Sequence, residues 1–205
     1  MDASRILLKD QFGRAFAAAG LAVPQGVFEA LAERYSEPHR AFHTLQHVAE
    51  CLGHLKSVRH APPAAALALW FHDAIYDPTR SDNEERSAAW ARTVLGPSPL
   101  AGQVEKMILA TKHGAPVIDV FERLVADIDL AVLAAPEPRF SEHEAQLRRE
   151  AFRLDEAAYR AARFTLLRSY GDRVYIFGSP EFRNLEIRAR KNLERAINAL
   201  IVGKK

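Results

Sequence analysis

Apolar residues recur along this chain at spacings of three and four, broken by short segments rich in proline, glycine and charge, which predicts amphipathic helices joined by turns. Ser4 is placed to cap a helix that carries Ile6, Leu7, Phe12 and Phe16 toward a stop at Gly20. Pro24 opens a short helix through Val27, Phe28 and Leu31 to Tyr35. Residues 36–40 end it, because a proline disfavours helix in the residue before it. From about His43, the spacing of Leu45, Val48, Leu52 and Leu55 predicts a stripe facing the core. Pro62 and Pro63 suit the first turn of a strongly apolar helix that contains His72-Asp73 and ends at Asp77-Pro78. Ser81 with Glu84 has capping-box spacing for a helix to Gly96, and another helix follows from Ser98-Pro99 to about Lys112. Residues 117–134 repeat the helical period in Ile118, Phe121, Val125, Ile128 and Val132. After a surface bend at 135–138, Ser141 with Glu144 repeats the capping pattern, and helices continue through Phe152 and Leu167 to Tyr170. Val174 to Phe177 reads as an extended or short helical connector, and Ser179-Pro180 starts a final helix through Leu185, Leu193, Ile197 and Leu200. The predicted class is all-α.

One stretch does not fit a simple core. Residues 66–76 are almost wholly apolar, yet they carry His72 and Asp73, two ionisable groups whose unpaired burial costs several kcal/mol. A metal ion offsets that cost, because imidazole and carboxylate are ordinary ligands. His43 and His47 stand four apart, which on a helix is one turn and one face. Asp127 and Asp129 lie in a third apolar helix; two residues turn through roughly 200°, so only one of them faces a common site. The helical spacing does not choose between them.

Composition narrows the classes. At 205 residues and 48% hydrophobic, the chain suits one domain with a sizeable core. A net charge of +2 makes no general demand for nucleic acid or an anionic membrane, and the arginine-rich last third reads as a solvated helical face. The single cysteine, Cys51, excludes an intrachain disulfide and multi-cysteine zinc sites and favours a reducing compartment. No run approaches the roughly 20 apolar residues of a membrane span, and the first ten residues meet charge early, so a cytoplasmic protein is expected.

The order His, His-Asp, Asp across three helices resembles the HD superfamily of metal-dependent phosphohydrolases. Within it the chain is most similar to a bacterial group of predicted phosphohydrolases, through Phe71 to Asp77, Asp82 to Ala88, Thr111-Lys112-His113, Asp127 to Leu130 and Ala189 to Leu193. The resemblance implies a helical bundle of the HD-domain type, with a metal-site core at about 35–135 and helices 141–202 packing on it. It implies a divalent ion (Mn, Fe, Co, Ni, Zn or Mg) on His47, His72, Asp73 and Asp127, with Asp129 as the alternative. Phe42 to Val48 is also similar to the Tyr-His-Asn-x-x-His segment of cyclic-nucleotide phosphodiesterases, which makes His47 the ligand and His43 the general acid. Phe42 and Thr44 depart from that segment, and the downstream elements of cyclic-di-GMP phosphodiesterases are missing.

The expected reaction is therefore hydrolysis of a phosphomonoester or phosphodiester of a small molecule, with a nucleotide among the candidates. Lys112 is expected to stabilise charge at phosphorus and to bind substrate, with Arg40 and His113 beside it. His113 is equally a candidate for a second metal, and Glu84 and Glu85 for a base, although a cap explains Glu84. His39, His60 and His143 fall in turns or near a helix start and read as solvated. The competing readings are a metal-bearing nucleotide sensor without turnover, and an all-α interaction protein with satisfied core histidines. No nucleic-acid or membrane partner is expected, and a homodimer is left open.

Overall fold

Ten α-helices and two 3-10 helices make up the regular structure of the described residues, and no strand occurs among them. The structure is a computed structural model that describes residues 3–114 and 116–202; the capping hydroxyl expected of Ser4 lies outside the described residues. Two compact units are distinguished, Met1–Asp129 and Leu130–Lys205.

The first unit contains α1 (Ala3–Ala18), α2 (Val27–Arg34), α3 (Leu45–Leu55), α4 (Pro63–Phe71), α5 (Asn83–Leu95), α6 (Ala101–Ala110) and α7 (Val120–Asp129). Its axis is α4, which packs against α1, α3, α5, α6 and α7. A helix that is apolar all round has no solvent face to offer, so it belongs in the centre of a bundle. Ala64, Ala65, Leu67, Ala68, Leu69, Trp70 and Phe71 are accordingly all buried. At one end Trp70 meets Phe12 edge-on at 5.2 Å, with Phe16 and Phe28 completing the aromatic cluster. The Tyr35 hydroxyl donates to the Trp70 carbonyl at 3.1 Å.

Several element boundaries differ from those expected. The α2 helix starts at Val27 rather than Pro24, because Gly26 takes a left-handed conformation (φ 77°) as its N-cap. Thr44 caps α3 by accepting from the Gln46 amide, so His43 precedes the helix and does not share a helical face with His47. The α4 helix ends at Phe71, which puts His72 and Asp73 in the turn after it rather than inside it. The N-cap of α5 is Asp82, with no side-chain cap bond, so the capping box expected of Ser81 and Glu84 is not formed. The stripe expected to run through 117–134 is shorter, with Ile118 and Phe121 exposed, as are Ile6 and Leu7 in α1.

The second unit contains a 3-10 helix (Leu130–Ala134), α8 (Glu137–Glu150), α9 (Glu156–Gly171), a second 3-10 helix (Pro180–Leu185) and α10 (Glu186–Val202). Its chain reversals are held by polar groups of α10. Asn192 donates to the carbonyls of Leu133 and Ala135 at 2.8 and 2.9 Å, and Arg190 donates to those of Gly171 and Arg173 at 2.9 and 2.8 Å. The Glu186 carboxylate accepts from the amides of Ile176 and Phe177, and the run from Val174 to Phe177 is an irregular connector. Glu144 does not form the expected cap, because α8 already starts at Glu137 behind Pro136. It accepts two bonds from Arg163 of α9, at 2.5 and 3.1 Å. His143 is buried at its side rather than solvated, with Nδ1 3.3 Å from Glu144 Oε1.

Burial raises the Glu144 carboxyl, but His143 and Arg163 more than reverse this and bring it from 4.5 down to about 2. A depressed carboxylate contributes stability above its unfolded value and loses it as acid protonates it. The loss is therefore expected as pH falls from 4.5 toward 2. Glu144→Gln should lower stability near neutral pH by on the order of 1–3 kcal/mol and flatten that acid limb. Thermal melting across pH checks this, and a variant as acid-sensitive as the parent contradicts it.

Candidate metal centre

Three elements of the first unit bring donor atoms to one point. His47 lies in α3, His72 and Asp73 follow α4, and Asp129 is the last residue of α7. His47 Nε2 stands 3.1 Å from His72 Nε2 and 2.9 Å from Asp129 Oδ1. Asp73 Oδ2 stands 2.9 Å from His72 Nε2 and 3.7 Å from His47 Nε2, and Asp129 Oδ1 is 3.5 Å from His72 Nε2. Ligands held at about 2.0–2.1 Å from one ion lie roughly 2.9–3.4 Å from each other, whether the shell is octahedral or tetrahedral. Three of the five measured separations, 2.9, 2.9 and 3.1 Å, fall on the edges of such a shell, and the other two, 3.5 and 3.7 Å, are slightly longer. His47 and His72 are both 1% exposed.

The hydrogen bonds point the same way. His72 Nδ1 donates to the Leu69 carbonyl at 2.9 Å, which aims Nε2 at the cluster, the outer-shell device that orients metal-binding imidazoles. Asp73 Oδ2 is buried and has no hydrogen-bond partner, although His72 Nε2 is near it. An orphaned carboxylate oxygen costs about 1–3 kcal/mol or more unless a cation satisfies it. The donor set of two imidazoles and two carboxylates thus fits a divalent ion.

Charge is balanced tightly here. Burial pulls the His72 imidazole down, but Asp73 and Asp129 more than offset this and hold it well above its usual value. Burial likewise pushes Asp73 up, and His72 and His43 outweigh it; Asp129 is pulled well down by bonds from His113, His47 and His72 against the same burial. A proton and a cation compete for the His72 Nε2 lone pair, so metal binding releases protons and weakens in acid.

Asp127 is corrected as a ligand. It is buried on α7, but Asp129 is the carboxylate that reaches the imidazoles, since two residues on a helix point to different sides. His113 reaches the other oxygen, with Nε2 2.8 Å from Asp129 Oδ2. It does so from a left-handed backbone (φ 55°), a strained conformation for a non-glycine residue that redirects its ring at the end of α6.

Arg40 is also corrected. Its guanidinium is buried and donates to the carbonyls of His43 at 3.1 Å, Asp73 at 2.6 Å and Ala74 at 3.2 Å, besides Glu37 at 2.9 Å. It clamps the turn that carries His72 and Asp73 and complements the negative end of α4, so it is not available to a substrate. Lys112 is exposed and donates to the Ser81 carbonyl at 2.7 Å and to Glu85, so its ammonium is tied to the start of α5 rather than directed at the cluster. The turn is braced from α5 as well: Ser87 accepts from the Ile75 amide at 3.0 Å, and Asn83 accepts from the Asp77 amide at 3.0 Å. Asp77 itself accepts from Thr79 in a local turn.

His43 stacks on Tyr76 with ring centroids 4.1 Å apart and lies 6.3 Å from the His47 ring, at the rim of the cluster. His39 covers the same tyrosine at 6.2 Å and bonds the Tyr76 carbonyl at 2.9 Å, so it is engaged rather than solvated. Glu84 is half-buried, and burial first, then the charge of Asp73, raise its carboxyl above the ordinary range. His113 and Lys112 border a groove of about 820 Å³ lined also by Lys106, Leu109, Val117 and Ile118. Cys51, the single cysteine, was not expected at the site, yet its Sγ stands 3.7 Å from His47 Nε2. Its signal was the spacing: His47 and Cys51 are four apart on α3.

No family model matches the sequence, no curated protein matches it, and no solved structure matches its fold.

The geometry separates the two aspartates experimentally. Asp129→Asn is expected to reduce bound metal per chain by more than about tenfold, while Asp127→Asn retains it even where its thermal stability falls. Elemental analysis of the folded variants checks this, and metal loss in Asp127→Asn alone contradicts it.

Proposed function

We propose that the chain is a metal-dependent phosphohydrolase of the HD type, acting on a phosphomonoester or phosphodiester of a small molecule such as a nucleotide. The observation that carries the reading is the convergence of His47, His72, Asp73 and Asp129 around the orphaned Asp73 oxygen. Their order along the chain is the one whose resemblance implied this chemistry, with Asp129 in the last place. A bound divalent ion supplies Lewis-acid polarisation of a phosphoryl oxygen and acidifies water near neutral pH.

The remaining roles belong to the chain. Arg40, Asn83 and Ser87 hold the turn after α4, so the ligands need no reorganisation. His43, with its ring fixed against Tyr76 beside the cluster, is the candidate to donate a proton to the leaving oxygen. Glu84, half-buried and sensing the charge of Asp73, is the candidate to take one from water. Lys106 of the adjoining groove offers positive charge to an anionic substrate, and Leu109, Val117 and Ile118 offer apolar contact to the rest of it. His113 steadies Asp129 through its second oxygen.

The test is hydrolysis of a panel of phosphomonoesters and phosphodiesters by protein loaded with Mn, Co, Ni or Zn, read as inorganic phosphate from the monoesters and as the released alcohol and monoester from the diesters. Turnover is expected with at least one substrate, and Asp73→Ala should lower it by roughly a hundredfold or more. His43→Ala should lower kcat by about 10²–10⁴ with metal retained. Full metal occupancy without turnover on a wide panel contradicts catalysis and leaves a non-catalytic sensor.

A further inference from the structure

We propose that Cys51 is a sulfur ligand of the same centre and that it makes the centre selective for Zn, Fe(II) or Co over Mg; the inference rests on the metal-centre reading above. His47 and Cys51 are one turn apart on α3, so the helix aims both side chains at one point. With Cys51 as a fifth donor, a sulfur at about 2.3 Å and an imidazole nitrogen at about 2.0–2.1 Å, both equatorial in a five-coordinate shell, are roughly 3.8 Å apart. Cys51 Sγ and His47 Nε2 are separated by 3.7 Å. The ligand atoms of His47, Cys51, His72 and Asp129 all lie within 4.8 Å of one another.

The ordinary role of a buried cysteine is that of a small apolar side chain. The donor groups around it argue for more than that. Sγ is about equally far from His47 Nε2 and Nδ1, at 3.7 and 3.8 Å, so ligation requires the thiol to turn toward the Nε2 lone pair. The pocket around it already holds two imidazole nitrogens, Asp129 Oδ1 and the unsatisfied Asp73 Oδ2, all facing inward. Cys51 is 2% exposed and is the only cysteine in the sequence, so an intrachain disulfide is impossible.

On coordination the S–H bond breaks, its proton passes to solvent, and the sulfur electron pair forms the bond to the ion. A thiolate in the shell shifts preference from hard oxygen-seeking ions to borderline and softer ones. Mg, which demands oxygen ligands, is then disfavoured against Zn, Co and Fe(II). The sequence-level reading left the ion open among six metals, and this sulfur is the feature of the chain that divides them.

The test uses the full chain, stripped by chelation and reloaded with Co(II), a spectroscopic probe that requires no knowledge of the substrate. A sulfur-to-cobalt charge-transfer band is expected in the near ultraviolet, at one cobalt per chain. Cys51→Ser and Cys51→Ala should lose the band while still binding cobalt, and their preference for Zn over Mg in competition should fall by roughly 10-fold or more. Because the band is read in the unmodified protein, the result survives even where a variant does not fold. Cobalt bound without the band, or a band that persists in folded Cys51→Ser, overturns the proposal but leaves the metal centre standing. No cobalt bound overturns both, so the two failures are told apart.

Discussion

The first unit depends on one electrostatic constraint: two imidazole nitrogens and two carboxylate oxygens face each other at 2.9–3.7 Å in a largely buried cluster. Lone pairs so placed repel unless a positive charge lies among them. Asp73 Oδ2, buried with no hydrogen bond, expresses the conflict most directly. A proton on His72 relieves part of it, as its raised affinity for protons indicates, but one proton does not satisfy four donors. A divalent ion does.

The surrounding fold reads as the apparatus that holds this arrangement. An all-apolar α4 fixes the centre of the bundle, and its termination at Phe71 frees the backbone of the next residues to be gripped from two sides. Arg40 takes the carbonyls of Asp73 and Ala74, while Ser87 and Asn83 take Ile75 and Asp77. His113 accepts a strained backbone to reach Asp129. Strain at one residue together with a buried arginine committed wholly to local groups is a pattern of preorganisation, in which stability elsewhere supports a fixed site.

Much of this was legible in the sequence. Periodicity gave the helical class, because three-and-four spacing reports directly on burial of one face. His47, His72 and Asp73 stood out because ionisable groups in apolar surroundings need partners. The choice of Asp129 over Asp127 was not legible, since both neighbours of each are apolar and only the exit angle of α7 separates them. Arg40 was misread because a cation near a metal motif fits a phosphate as well as it fits a set of carbonyls; its burial decided for the carbonyls. His43 was placed on the helix because four-residue spacing does not reveal that Thr44 caps α3 and that the helix starts at Leu45, two residues later. Capping-box spacing likewise misassigned Glu84, since α5 starts at Asp82 without a side-chain cap bond, and Glu144, whose carboxylate pairs with Arg163 instead.

The measurement that bears most directly on the central claim is calorimetric titration of a divalent transition metal into chelator-stripped protein, paired with thermal melting at the same ion concentrations. One ion is expected to bind per chain with release of protons. At an ion concentration a hundred times the Kd, the stabilisation is about 2.7 kcal/mol, a rise in Tm of roughly 5–10 °C. A folded, stripped protein that binds no ion and melts at an unchanged temperature contradicts the account.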